Sequence, residues 1–298
     1  MRIQPESVDL RLISHHKSAL GENPLWHLEE RCLYWCDITA GRLLRYDPAI
    51  DTTEVVLDGN CEPQNMIGGF TIEADGALLL FMACGRVKRW FGGVSEVVME
   101  DDPNMRETRY NDVIADVVGR VFCGTMSTEK ASGKLYRLDL DKHLTPVVED
   151  VGCSNGLAFT HAGTHLYYTD STARTLTRFA YEASSGNISN PQLFVHTHER
   201  DGVPDGMTVD VEDHVWSAHW DGGFIVRYDP SGEEVRRISI PAVKVTSLTF
   251  GGDDLRTLFV TTAADDSHST DGSLAGNVFA LEPGVCGVPE FPSRICST

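Results

Sequence analysis

The stretch L-A-F-T-H-A-G-T-H-L-Y-Y-T-D, Leu157–Asp170, places two apolar runs around a tight polar turn. The second run is rich in aromatic residues, which is the pattern of two antiparallel strands joined by a hairpin. The unit recurs at Pro24–Ile38, Phe70–Phe81, Asp112–Thr125, Met207–Trp220 and Leu248–Thr262, six copies in all. Anchored on Leu33, Leu78, Val121, Leu166, Val215 and Leu258, the copies step by 45, 43, 45, 49 and 43 residues. Further strands follow them, at Arg42–Pro48, Lys134–Asp139, Thr175–Tyr181, Phe224–Pro230 and Asn277–Gly284. A period in the mid-forties holding about four short strands is the signature of a β-propeller blade. The expected fold class is therefore all-β, a six-bladed β-propeller, with residues 1–298 as one domain. The evenness of the steps argues against an ordinary β-sandwich. The segment Val8–Ser14 is expected to pair with the last blade and close the ring, which leaves no open sheet edge.

Composition narrows the partners. Twenty-five Lys and Arg stand against 44 Asp and Glu, and a net charge of −19 repels nucleic acid and anionic membrane surfaces. No apolar run approaches the roughly 18 residues of a membrane helix. Glu6, Asp9 and Arg11 interrupt the region where a secretory signal needs unbroken apolar residues, so a cytoplasmic location is expected. None of the eight cysteines forms a C-x-x-C pair, and reduced thiols fit that location.

The candidate site begins from V-P-D-G-M-T-V-D, Val203–Asp210. Asp205 sits between Pro204 and Gly206 at the start of an inner strand, where Pro-Asp-Gly alone would be read as a turn. Counting back from the anchors, Asp205 and Asn111 lie 10 residues ahead, and Asn155 and Glu22 lie 11 ahead. The matching positions in copies two and six are Gly68 and Ser247. Equivalent positions in successive blades share one height around the axis, so four oxygen-bearing side chains converge there. Two carboxylates and two amides, without thiol or imidazole, suit one hard divalent cation. Ca²⁺ comes first, with Mg²⁺ and Mn²⁺ next and Zn²⁺ or Fe²⁺ poorer matches.

The strings G-E-N-P-L-W (Gly21–Trp26), R-Y-N-D (Arg109–Asp112), G-T-M (Gly124–Met126), S-N-G-L-A-F (Ser154–Phe159), P-D-G-M (Pro204–Met207) and P-G-V-x-G (Pro283–Gly287) resemble the SMP-30/gluconolactonase/LRE family, the regucalcin-like sugar lactonases. The resemblance runs from about residue 10 to 292. It implies a six-bladed propeller with one divalent metal on its axis and hydrolysis of a gluconolactone-like sugar lactone to the aldonic acid. It implies Glu22, Asn155 and Asp205 as metal ligands, and Asp205 also as the base for a metal-activated water. Arg109 and Asn111 would hold the substrate. Glu129, three residues after Met126, falls where some members place a loop carboxylate near the sugar. The stretch Cys61–Gly68 does not match the family pattern closely. The expected partner is a small sugar lactone, with the chain a monomer or weak homodimer. Two alternatives use the same scaffold: a metal-dependent phosphotriester or aryl-ester hydrolase, and a non-enzymatic calcium-binding propeller.

Other features carry less chemistry. His196-Thr197-His198-Glu199 lacks a third metal partner nearby and is expected to be a solvated loop. His219, in H-W-D-G, is either a pocket residue or a packed aromatic. Neither a G-x-S-x-G elbow nor a G-x-x-x-x-G-K phosphate loop is present, which disfavours covalent serine catalysis and nucleotide hydrolysis.

Overall fold

In the computed structural model, which describes residues 3–264 and 274–296, the hairpins stack into six four-stranded antiparallel sheets. Blades one to five are meanders taken in chain order, with inner strands Gly21–His27, Ile67–Ile72, Tyr110–Ala115, Ser154–Phe159 and Val203–Val209. Blade six takes three strands from the end of the chain, Val245–Gly251, Thr257–Thr262 and Val278–Leu281. Its outer strand is Arg11–Ser14 from the beginning, paired as Arg11 with Ala280 and Ser14 with Val278. The expected closure is therefore present, over the last four residues of the segment Val8–Ser14. Each inner strand packs on the next, and the sixth packs on the first.

The core consists of wedges between blades, because each sheet is apolar on both faces. Every one of the six buried clusters draws on two neighbouring blades. An aromatic pair crosses each junction: Tyr34–Trp90, Phe81–Tyr110, Phe122–Phe159, Phe194–Tyr228, Trp216–Phe250 and the stacked Trp26–Phe259. Such pairs contribute about 0.5–1.5 kcal/mol each beyond the area they bury. They also set the angle between blades.

All six inner strands carry a β-bulge near their start. Pairing with the second strand slips between Glu22 and Leu25, Ile67 and Gly69, Tyr110 and Val113, Asn155 and Leu157, Pro204 and Met207, and Val245 and Ser247. A bulge breaks the strict alternation of side chains and re-aims the residue it contains. Aligning the blades by the pairs below the bulge corrects the sequence count in one place. Phe250 pairs with Leu258 as Phe159 pairs with Leu166, so the blade-six equivalent of Asn155 is Thr246, not Ser247. The hairpin of blade six is longer, and counting back from Leu258 slipped by one.

The face opposite the bulges is crossed by the C-terminal segment. Val211 N donates to Cys286 O, Gly287 N to Leu255 O, Ser293 N to Ile72 O and Arg294 N to Gly119 O. Glu73, buried under this strap, accepts from Ser293 Oγ and from the backbone N–H groups of Ile295 and Cys296.

Blade two contributes no side chain at the level of the bulges, for a steric reason. A Cβ on Gly68 would lie 1.9 Å from the Tyr110 carbonyl oxygen, so blade three's backbone occupies that space. Gly68→Ala is expected to destabilise the protein by about 1–3 kcal/mol or more, since backbone must move to admit the methyl. A denaturant midpoint equal to that of the wild type would show that blades two and three are not packed this closely.

Candidate functional site

The bulges bring Glu22, Asn111, Asn155 and Asp205 to one end of the central channel, each buried to 6% exposure or less. With them comes a residue the sequence analysis passed over. Asp112 follows Asn111, and in a regular strand the two would face opposite sides. The slip between Tyr110 and Val113 leaves both outside the ladder, and Asp112 is buried beside Glu22 and Asp205. The string R-Y-N-D held the signal, but only the bulge makes its last residue part of the site.

Three carboxylates share this space. Burial pushes Glu22 well above the usual carboxylate range, and the charges of Asp205 and Asp112 push it further. Asp205 is raised by burial and then by Asp112, against the opposing pull of Asn155 and Arg109. Asp112 is raised by burial to about 7, with Arg109 holding it down. Within the described residues Arg109 is the cation placed among them, and burial lowers its own pKa. Fully ionised, three carboxylates against one guanidinium would leave two negative charges in a dry site, and the raised pKa values express that cost.

The polar atoms divide into committed and uncommitted. Arg109 Nη1 donates to Tyr110 O at 2.9 Å and to Asn111 Oδ1, while Asn111 Nδ2 donates to Ser154 O of blade four at 2.8 Å. Asn111 is thus spoken for at both ends. Asn155 Nδ2 donates to Ser171 Oγ at 3.1 Å, and Asn23 N donates to Glu22 Oε2 at 3.2 Å. Asn155 Oδ1 and Asp205 Oδ1 are buried acceptors with no hydrogen-bond partner. Buried polar atoms are rarely left so, and a ligand is one of the standard reasons. Two orphaned oxygens among carboxylates short of counter-charge fit a hard divalent cation in charge and in donor chemistry, with waters completing its shell.

A second group of donors does not fit one. Asp210, Glu212 and His214 bring donor atoms within 4.8 Å of one another. Asp210 Oδ1 already accepts from the backbone N–H groups of Glu212 and His214, and Oδ2 accepts from Trp216 Nε1 and Arg227 Nε. Arg227 supplies the counter-charge to both acids. Blade three has the same device, where Asp116 caps its turn and pairs with Arg120. This is a strand-exit turn.

Among the described residues, two hollows flank the site. On the bulge side, a groove of about 440 Å³ is lined by Pro63, Gln64, Met66, Arg106, Arg109 and Met126, among others. Part of Cys61–Gly68 thus forms its wall. Between the site and the strap lies a cavity of about 260 Å³ touched by Asn23, Asp112, Met207, Phe250, Glu290 and Phe291. Glu129 is exposed on the loop after blade three's second strand, next to Ser127 and Thr128, which line the groove. His219 is a packed aromatic, with Nδ1 on Asp201 O at 2.7 Å, Phe224 at 5.0 Å, and burial lowering its pKa to about 4.

The model of the SMP-30/Gluconolactonase/LRE-like region matches residues 20–264. The pentonolactonase of Haloferax volcanii is 45% identical over 285 residues, 93% of this chain and 95% of that protein. The 6-deoxy-6-sulfogluconolactonase of Pseudomonas putida is 31% identical over 289 residues, 94% of this chain and 97% of its own. Among solved structures, the calcium-binding protein regucalcin of Agrobacterium tumefaciens matches with a TM-score of 0.87 at 25% identity, covering 95% of this chain and 97% of that one. With the six-bladed fold and matches of this length, the chain belongs to the SMP-30/gluconolactonase/LRE-like family.

Proposed function

We propose that this lactonase opens a sugar lactone to the aldonic acid, with Asp205 as base and one divalent cation held by Glu22, Asn155 and Asp205. The observation that carries the reading is the pair of buried, unpartnered oxygens, Asn155 Oδ1 and Asp205 Oδ1, amid uncompensated carboxylates. The oxygen-only donor set puts Ca²⁺ first, then Mg²⁺ and Mn²⁺. When bound, the ion would polarise the lactone carbonyl and acidify water in the site.

The rest is done by this chain's side chains. The sugar enters by the groove beside Arg109. That guanidinium, anchored through Nη1 on Tyr110 O and Asn111 Oδ1, keeps further N–H donors for ring and hydroxyl oxygens. Asn111 acts here by fixing Arg109, so the two hold the substrate as one unit. Asp205 takes a proton from water as the water oxygen bonds to the carbonyl carbon. The ring C–O bond then breaks, and the departing alkoxide takes up the proton. The ring holds the lactone's ester in its less stable, more reactive geometry, so its opening needs less help than that of an open-chain ester. The kinship with a pentonolactonase makes five-carbon lactones the first substrates to try.

Two outcomes are expected. Asp205→Ala should lower kcat/KM for pentono- and hexonolactones by about 10²–10⁴-fold, the span of a lost general base. Wild-type acid release should stop on chelation and return with one added ion. Full activity of Asp205→Ala on every lactone of the panel would refute the assignment.

A third outcome concerns pH. Burial raises Asp112 to about 7 from the usual 3.8 of an aspartate. The folded state then binds a proton more tightly than the unfolded chain, so this stability is full below the unfolded pKa and is lost as pH rises through about 7. In chelator, the melting temperature should fall between about pH 4 and 7 and level off above that. Asp112→Asn should flatten that slope, and an unchanged slope would place Asp112 outside the coupled group.

A further inference from the structure

Ser171 sits at the junction of the two strands that bear Asn155 and Asp205. Its Oγ donates to Pro204 O at 2.7 Å and lies 3.1 Å from Asn155 Nδ2, and the residue is 7% exposed. A serine hydroxyl has one hydrogen and two lone pairs. Pro204 O can only accept, so the single hydrogen goes there. Toward Asn155 the hydroxyl is then an acceptor, and the amide must present Nδ2 to it. The flip of a buried amide is decided by such bookkeeping. With Nδ2 held, Oδ1 is the end left over, and it is the buried acceptor without a partner. The same hydroxyl grips the carbonyl of the residue directly before Asp205.

We infer that Ser171 is a positioning residue for the cation site: its hydroxyl selects which end of the Asn155 amide is offered to the ion and ties that amide to the peptide preceding Asp205. The inference rests on the proposed ion site and adds to it a group that touches neither ion nor sugar. Blade four thereby sets a ligand of its own and the backbone of its neighbour's ligand. Without the hydroxyl, the amide is free to turn its NH₂ toward the ion, which repels it.

The test is calorimetric titration of the full chain, stripped of ions, with Ca²⁺ alone and with Mn²⁺ alone. Ser171→Ala should weaken binding by about tenfold or more, the usual effect of removing a group that orients a ligand. Ser171→Cys, a longer and weaker donor of similar volume, should fall between the two. The background Asn155→Asp separates orientation from mere packing, because a carboxylate offers an acceptor at either end. There the further change Ser171→Ala should shift the affinity by less than about twofold, well inside the tenfold effect. Wild-type affinity in Ser171→Ala, or an equal loss in both backgrounds, would overturn the inference alone. A wild-type chain that takes up neither ion would overturn the ion site, and Ser171's role with it.

Discussion

Like charges buried within one another's field are the constraint on which this molecule turns. Glu22, Asp112 and Asp205 lie out of water at the end of a channel, with Arg109 as the cation among them in the described residues. Each unpaired buried carboxylate disfavours folding, or takes up a proton instead. The cluster persists because the surrounding structure over-determines it. Six apolar wedges, each with an aromatic pair across it, stabilise the ring independently of what stands at its axis. Blades can then supply ligands that their own sheets would not favour.

Bulges convert that stability into a site. Without them, the first residues of each inner strand would alternate between neighbouring wedges, and no two successive side chains would reach the axis together. The slip in each strand turns one or two residues inward at the same height. Hydrogen bonds then run from blade to blade at that level. Asn23 Oδ1 accepts from Phe70 N, Asn111 Nδ2 donates to Ser154 O, Ser171 Oγ to Pro204 O and Thr246 Oγ1 to Gly21 O. The side chains at the bulges that do not face a ligand serve as the ties between blades.

This explains what was legible in the sequence and what was not. Six hairpins and their spacing are visible because strand patterning is local, and the ring closure follows from the need to cover an edge. Glu22, Asn111, Asn155 and Asp205 are visible because a repeat converts sequence spacing into height. Asp112 was missed because alternation, the rule that finds strands, places it on the wrong side of Asn111. Thr246 was displaced by one because the blade-six hairpin is longer than its counterparts. Glu129 has no counterpart in the repeat count, because it stands on a loop and spacing fixes height only along the strands. Ser171 leaves no mark at all, since its role lies in the direction of one hydrogen.

A ring that takes its ligands from separate blades has a further property. The distance from Glu22 to Asp205 is set by no single sheet; it is the sum of junctions on either side. Blade six stands between blades five and one, so its integrity governs that distance although none of its described residues brings a carboxylate to the level of the bulges. Its outer strand, Arg11–Ser14, is separated from the rest of the blade by nearly the whole chain. Loss of that pairing would open an edge beside Trp26 and Phe259, where the wedge between blades six and one is stacked. The geometry of the acidic cluster therefore depends on a contact far from it in sequence, made by a four-residue strand carrying none of its chemistry.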